Sequence, residues 1–181
     1  MNMSATRSQH TASVLSDGTV LVTGGQNGSV SLNTAEWYDP STGTWATTGN
    51  MKAARCCHTA SVLSNGKVLV TGGAHNDVPL NSVELYDPLT GNWTTIGNMS
   101  VARSQHTASV LSNGTVLVTG GQNGSVTVDS AELYDPSAGN WSTAGYMKAA
   151  RYCHTASILA NRTVFLTGGQ NSAALNSAEL Y

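Results

Sequence analysis

His10, His58, His106 and His154 recur at intervals of 48 residues. Each stands three positions after an arginine (Arg7, Arg55, Arg103, Arg151) and heads a His-Thr-Ala-Ser run. Fourteen residues beyond each histidine lies a Gly-Gly pair: Gly24-Gly25, Gly72-Gly73, Gly120-Gly121 and Gly168-Gly169. A strict long period constrains the fold more than any single motif does. One unit of this size cannot bury its apolar face alone and must stack on its neighbours. Residues present in every copy are therefore expected to build the unit, and those that differ are where a particular function resides.

Within each copy the pattern is that of strands. His-Thr-Ala-Ser-Val-Leu alternates polar and apolar residues. It ends at Ser16-Asp17-Gly18, Ser64-Asn65-Gly66 or Ser112-Asn113-Gly114, where Asp-Gly or Asn-Gly is a strong hairpin signal. The fourth copy carries Asn161-Arg162 instead. Because Asn tolerates the left-handed conformation, that turn is expected to persist at some cost. A β-branched run follows (Thr19 to Thr23 in the first copy) and stops at the Gly-Gly pair. After a polar loop, a third strand centres on Glu36-Trp37-Tyr38, Glu84-Leu85-Tyr86, Glu132-Leu133-Tyr134 and Glu179-Leu180-Tyr181. Asp39-Pro40, Asp87-Pro88 and Asp135-Pro136 end it, since proline cannot donate to a ladder. A fourth strand begins at Trp45, Trp93 and Trp141. No segment has a helical period. Four short antiparallel strands per repeat of this length predict an all-β propeller.

Arg-x-x-His, Gly-Gly, Glu-x-Tyr-Asp-Pro and Gly-x-Trp, in that order and four times in register, resemble the Kelch repeat over essentially the whole chain. The Val-Leu-Val-Thr-Gly-Gly wording is similar to the repeats of galactose oxidase-type propellers. The resemblance implies a Kelch β-propeller with four-stranded antiparallel blades. The count is three full blades and a fourth lacking its outer strand, with repeats at about 3–50, 51–98, 99–146 and 147–181. Repeats one and three share Arg-Ser-Gln-His and Gln-Asn-Gly-Ser-Val, while two and four share Met-Lys-Ala-Ala-Arg and Cys-His. The duplicated unit is thus a two-blade pair of 96 residues. A single propeller segment of a larger propeller is the expectation. A last blade with an open edge is also a place for self-association.

Charged residues make up only 10% of the chain and the formal net charge is −2, which gives no case for nucleic acid or an anionic membrane. No apolar run approaches the roughly 20 residues of a membrane span. The first residues hold no signal-peptide stretch. Cys56, Cys57 and Cys153 lack CxxC spacing and are read as unpaired thiols. Equivalent positions two blades apart, such as Cys57 and Cys153, are expected to lie beyond disulfide reach. Asn-x-Ser/Thr sequons such as Asn27, Asn92, Asn98, Asn113, Asn123, Asn140 and Asn161 would be glycosylated in an extracellular setting, the setting favoured here over the cytoplasm.

A ring of four histidines is a conceivable metal site. A residue at the same place in every blade is expected for packing alone, however, so no metal and no cofactor is expected. The repeated glutamates need partners for buried charge, and the repeated arginines are the natural ones. Trp45, Trp93, Trp141 and the tyrosines suit the wedge between blades. No catalytic constellation differs from blade to blade, and the Tyr, His and Cys set of a copper oxidase cannot be matched here; no enzyme activity is expected. Variation concentrates in the strand 2–3 loops and the inter-blade loops, which should share one face and are the expected partner-binding residues. These are Asn27, Asn76, Asp77, Asn123 and Asn171 in the first set. The second set is Arg55, Cys56, Arg103, Ser104, Arg151 and Tyr152. The partner implied by the resemblance is a protein; the alternative is a carbohydrate-binding or carbohydrate-active, galactose oxidase-like propeller, suited to low charge and Asn/Gln-rich loops.

Overall fold

The computed structural model describes residues 2–181 and contains strands but no helix among them. In the first repeat the strands are β1 (Thr11–Val14), β2 (Val20–Thr23), a short ribbon β3 (Gln26–Asn27) and β4 (Val30–Ser31), then β5 (Ala35–Asp39) and β6 (Thr44–Thr47). The second repeats this as β7 (Thr59–Val62), β8 (Val68–Thr71), β9 (Ala74–His75), β10 (Val78–Pro79), β11 (Val83–Asp87) and β12 (Asn92–Ile96). The third comprises β13 (Thr107–Val110), β14 (Val116–Thr119), β15 (Gln122–Asn123), β16 (Val126–Thr127), β17 (Ser130–Asp135) and β18 (Asn140–Tyr146). The fourth has β19 (Thr155–Ile158), β20 (Val164–Thr167) and β21 (Ala178–Leu180).

The sheets run β1-β2-β5-β6, β7-β8-β11-β12, β13-β14-β17-β18 and β19-β20-β21, every pairing antiparallel. They form three four-stranded blades and one of three strands. The innermost strands β1, β7, β13 and β19 pack successively on one another about a common axis. Sheets stacked on both sides explain why the second strands lack polar alternation. Val68, Leu69, Val70 and Thr71 are all fully buried, and each pair of blades shares one apolar cluster. Tyr86 and Trp93 pack with ring centroids 5.0 Å apart, and the Trp93 indole N–H donates to the Gly49 carbonyl of the preceding blade at 2.8 Å.

The Gly-Gly pair is required by how closely the next blade approaches. A Cβ on Gly72, at φ +57°, would stand 2.4 Å from the Arg103 carbonyl oxygen. Its neighbour Gly73 donates its N–H to that same carbonyl at 2.9 Å.

Two expectations are refined. The polar strand 2–3 loop is itself a ribbon in the first three blades. Gly28 and Gly124 adopt φ near +62° and +63° at the first central position, as a type II′ turn demands. Asn76 and Asp77 both take positive φ (46° and 66°), the type I′ alternative. In the fourth blade the left-handed residue of the first hairpin is Arg162 (φ 71°), not Asn161. Asn161 uses its side-chain oxygen instead, accepting from the Thr163 N–H and hydroxyl. A non-glycine residue in this conformation costs about 1–2 kcal/mol, partly offset by glycine's greater entropy loss on folding. Arg162→Gly should therefore raise stability by about 0.5–1 kcal/mol, a gain of roughly 1–4 °C in thermal midpoint. An unchanged or lower midpoint in a calorimetric scan would contradict this.

Candidate functional site

The face carrying the loops is built outward from a buried ion pair in each blade. Arg55 Nη2 meets Glu84 Oε1 at 2.8 Å, Arg103 meets Glu132 at 2.9 Å, and Arg151 meets Glu179 at 2.9 Å; Arg7 pairs with Glu36 in the same way. The other arginine nitrogen donates to the first glycine of the Gly-Gly pair, as in Arg55 Nη1 to Gly72 O at 2.6 Å. The glutamate accepts backbone N–H groups from the incoming inter-blade segment, as Glu84 does from Lys52 and Ala53 at 2.7 and 3.0 Å. This fastens each inter-blade loop to the blade it enters. Burial pulls the guanidinium of Arg103 below its ordinary pKa, while Glu132 opposes the shift. Burial likewise raises the carboxyl of Glu36, but the Ser4 N–H and Arg7 outweigh it and hold the group below the usual range.

Two residues after each arginine the backbone turns left-handed at Gln9, Cys57, Gln105 and Cys153, with φ between 52° and 55°. Here the N–H of each later residue donates to the carbonyl of the equivalent residue one blade earlier: Cys57 to Gln9 at 3.1 Å, Gln105 to Cys57 at 2.9 Å, Cys153 to Gln105 at 3.0 Å. These four residues and the four histidines line an axial cavity of about 340 Å³. Cys57 and Cys153 therefore share one cavity despite lying two blades apart, and all three cysteines are free thiols. Burial, then the neighbouring Cys56, pushes the Cys57 thiol up to about 12, so it is not a thiolate nucleophile near neutral pH.

The histidine rings are occupied by packing. Nε2 of His58 lies 2.9 Å from Thr11 Oγ1 and 3.1 Å from Thr23 Oγ1, both in the preceding blade. His106 and His154 repeat this with Thr59 and Thr71, and with Thr107 and Thr119. Burial, then the Arg55 charge, lowers His58 to about 3. His58, His106 and His154 are thus each committed to a blade junction.

The two loop classes do meet on one face. Ser8 pairs with Gln26, Cys56 with Ala74, Ser104 with Gln122 and Tyr152 with Gln170, each a backbone bridge from the inter-blade loop to the strand 2–3 loop of the same blade. A groove of about 280 Å³ runs over the first three blades, lined by Gln9, Gln26, Cys57, Asp77, Gln105 and Gln122 among others. Of the residues singled out from sequence, Asn27, Asn76, Asp77 and Asn123 are exposed, and Asn171 and Tyr152 are half-buried. Cys56 and Ser104 are buried at the groove floor. Arg55, Arg103 and Arg151 are at most 1% exposed, so their side chains hold this face up from beneath. The sequon asparagines Asn27, Asn92, Asn98, Asn113, Asn123, Asn140 and Asn161 are exposed.

Sequence reasoning missed Val30, Val78 and Val126. Each closes its ribbon at the same register, opposite Asn27, His75 and Asn123, and each is 61–65% exposed. A legible signal is there, since these are apolar residues recurring inside otherwise polar loops.

Residues 2–121, two thirds of the chain, match the family model described as the KLHDC2/KLHL20/DRC7 Kelch-repeats domain. Residues 103–148 match that of the Kelch motif. No curated protein matches the chain.

Proposed function

Since this chain belongs to the family of Kelch-repeat domains, whose propellers generally serve as protein-interaction scaffolds, we propose that it is a non-catalytic scaffold that holds a protein partner on the loop-bearing face. One observation carries this reading: Val30, Val78 and Val126 stand in a repeated series at the tips of three successive ribbons, beside a groove lined by amides. Exposed apolar side chains rimmed by polar ones mark interaction surfaces. Asn27, Asn76, Asp77 and Asn123 supply the surrounding hydrogen-bonding groups, with Asn171 and Tyr152 extending the face onto the fourth blade. The ribbons are seated by the ion pairs beneath them, and neighbours brace each other: Asn76 N–H donates to Ser31 Oγ at 3.0 Å. A rigid scaffold under variable loops suits specific binding, because little conformational entropy is lost when a partner docks.

Peptides selected from a display library against the chain should bind through these valines. Val30→Ser/Val78→Ser/Val126→Ser should weaken the selected peptides by at least about tenfold in titration calorimetry, the loss of roughly 1.4 kcal/mol of apolar contact. The thermal midpoint should not move, since all three side chains are exposed. Undiminished affinity would sink the reading, and glycan-array binding without any selected peptide would replace the protein partner by a carbohydrate.

A further inference from the structure

Blade one departs from the other three at two positions that meet in one cavity. Trp37 stands where they carry Leu85, Leu133 and Leu180, and Asp17 stands where they carry Asn65, Asn113 and Asn161. Leu15, Asp17, Thr19 and Trp37 of blade one, with Pro88 of blade two, line a cavity of about 220 Å³. It lies among the turns that join the first strand to the second and the third to the fourth, on the face opposite the loops. Ala35, on the same side of β5 as Trp37, packs into the apolar cluster shared with blade two. The half-buried indole thus belongs to the first blade junction.

The carboxylate beside it is ionised. Asp17 Oδ1 accepts the Thr19 hydroxyl at 2.7 Å and the Thr19 N–H at 2.9 Å. The hydroxyl first, then the N–H, hold the carboxyl below its ordinary value, while the nearby charge of Asp39 opposes them. Among the described residues, neither Asp17 nor Asp39 is paired with a cation. Blade two shows what such a place accepts. There Lys67 replaces Thr19, and its ammonium lies 3.0 Å from Asp87, the counterpart of Asp39. Blade three has a threonine again, Thr115, but with Asn113 and Leu133 it offers neither the second carboxylate nor the ring.

We propose that this cavity binds a primary alkylammonium group, the chemistry of a lysine side chain or of a small aliphatic amine. The Trp37 ring attracts a cation placed over its face and covers the alkyl stem. Asp17 accepts a charge-assisted hydrogen bond, and Asp39 adds negative charge close by. Leu15 and Pro88 form apolar walls. The site is on the opposite face from the loops and is independent of the partner reading there.

The indole N–H resonances of the four tryptophans can follow a titration with n-butylammonium chloride against sodium chloride at equal ionic strength. The Trp37 resonance should move saturably in the millimolar range, with Trp45, Trp93 and Trp141 unmoved as references. n-Butanol, which has the stem without the charge, should bind at least about tenfold more weakly. Trp37→Leu and Asp17→Asn install the residues of the other blades, so the fold should keep its circular dichroism. Each should weaken binding at least about fivefold, read by saturation transfer to the ligand. Thr19→Lys, which copies blade two, should close the site from within and serves if either variant misfolds. A short blocked peptide with one lysine should shift the same resonance where the ammonium is protein-borne; a response to butylammonium alone assigns the site to a free amine. An unmoved Trp37 resonance would overturn the proposal. So would equal binding of butanol, or undiminished binding to the variants.

Discussion

Replacing Arg103 by alanine is expected to lower stability by about 3–5 kcal/mol, read from the denaturant midpoint at constant slope. The side chain is fully buried, and its two terminal nitrogens make four contacts: Gly120 O at 2.8 Å, Ser130 O at 3.0 Å, Ser130 Oγ at 3.0 Å and Glu132 Oε1 at 2.9 Å. Truncation leaves the Glu132 carboxylate buried with only the Ser100 and Val101 N–H groups for company, and strips the carbonyls of Gly120 and Ser130 of a donor. The loss comes chiefly from stranded polar groups, not from the attraction of the pair itself. Arg103→Met/Glu132→Leu, which removes both charges, should therefore recover part of the loss. The exposed pair Lys67–Asp87, at 3.0 Å, is the contrast: Lys67→Ala should leave the midpoint unchanged. A change under about 1 kcal/mol for Arg103→Ala would show that the pair does not organise the junction.

That arginine illustrates what the sequence could and could not disclose. Its pairing with the repeated glutamate was legible, because a carboxylate in an apolar strand needs a cation and only one recurs at the same period. Blade number, strand order and hairpin positions were legible too, since turn residues and β-branched runs repeat in register. The side chain's exposure was not. Arg55, Arg103 and Arg151 sit among variable loop residues and so read as surface, yet the backbone beside them faces the loop groove while the side chains run inward to Gly72, Gly120 and Gly168. The left-handed conformation of Gln9, Cys57, Gln105 and Cys153 gave no warning either, as neither residue type favours it. It is imposed by blade-to-blade hydrogen bonds spanning 48 residues of chain, which no local pattern encodes. Val30, Val78 and Val126 lay between these cases: visible as a series, and meaningful only once the ribbons placed them at the tips of one face.

Stability should fall steeply as pH drops below about 6.5, the ordinary histidine value. His58 and His106 are buried and neutral, lowered to about 3 by desolvation first and then by Arg55 and Arg103 respectively. In the unfolded chain the same rings titrate normally, so between pH 6.5 and 3 the unfolded state binds protons that the native state refuses. Linkage then removes stability as pH falls, starting at the unfolded value and ending at the folded one. At pH 5 each ring costs about 2 kcal/mol relative to neutral pH, so the two together remove about 4 kcal/mol from a fold whose total is of order 5–15 kcal/mol. The loss is local in origin. A charged His106 would sit inside the second junction, against Thr59, Thr71 and the buried Arg103, and the blades must separate to hydrate it. Chemical denaturation across pH 4–8 should show about two protons taken up on unfolding near pH 5 from these residues. His58→Gln/His106→Gln should reduce that slope to the share left by His154, itself lowered to about 4 by burial, while lowering stability at pH 7, where the native rings hold their threonine pairs. A profile already flat from pH 7 to 5 in the unsubstituted protein would show that the junction histidines are hydrated and that the blades are looser than their packing indicates.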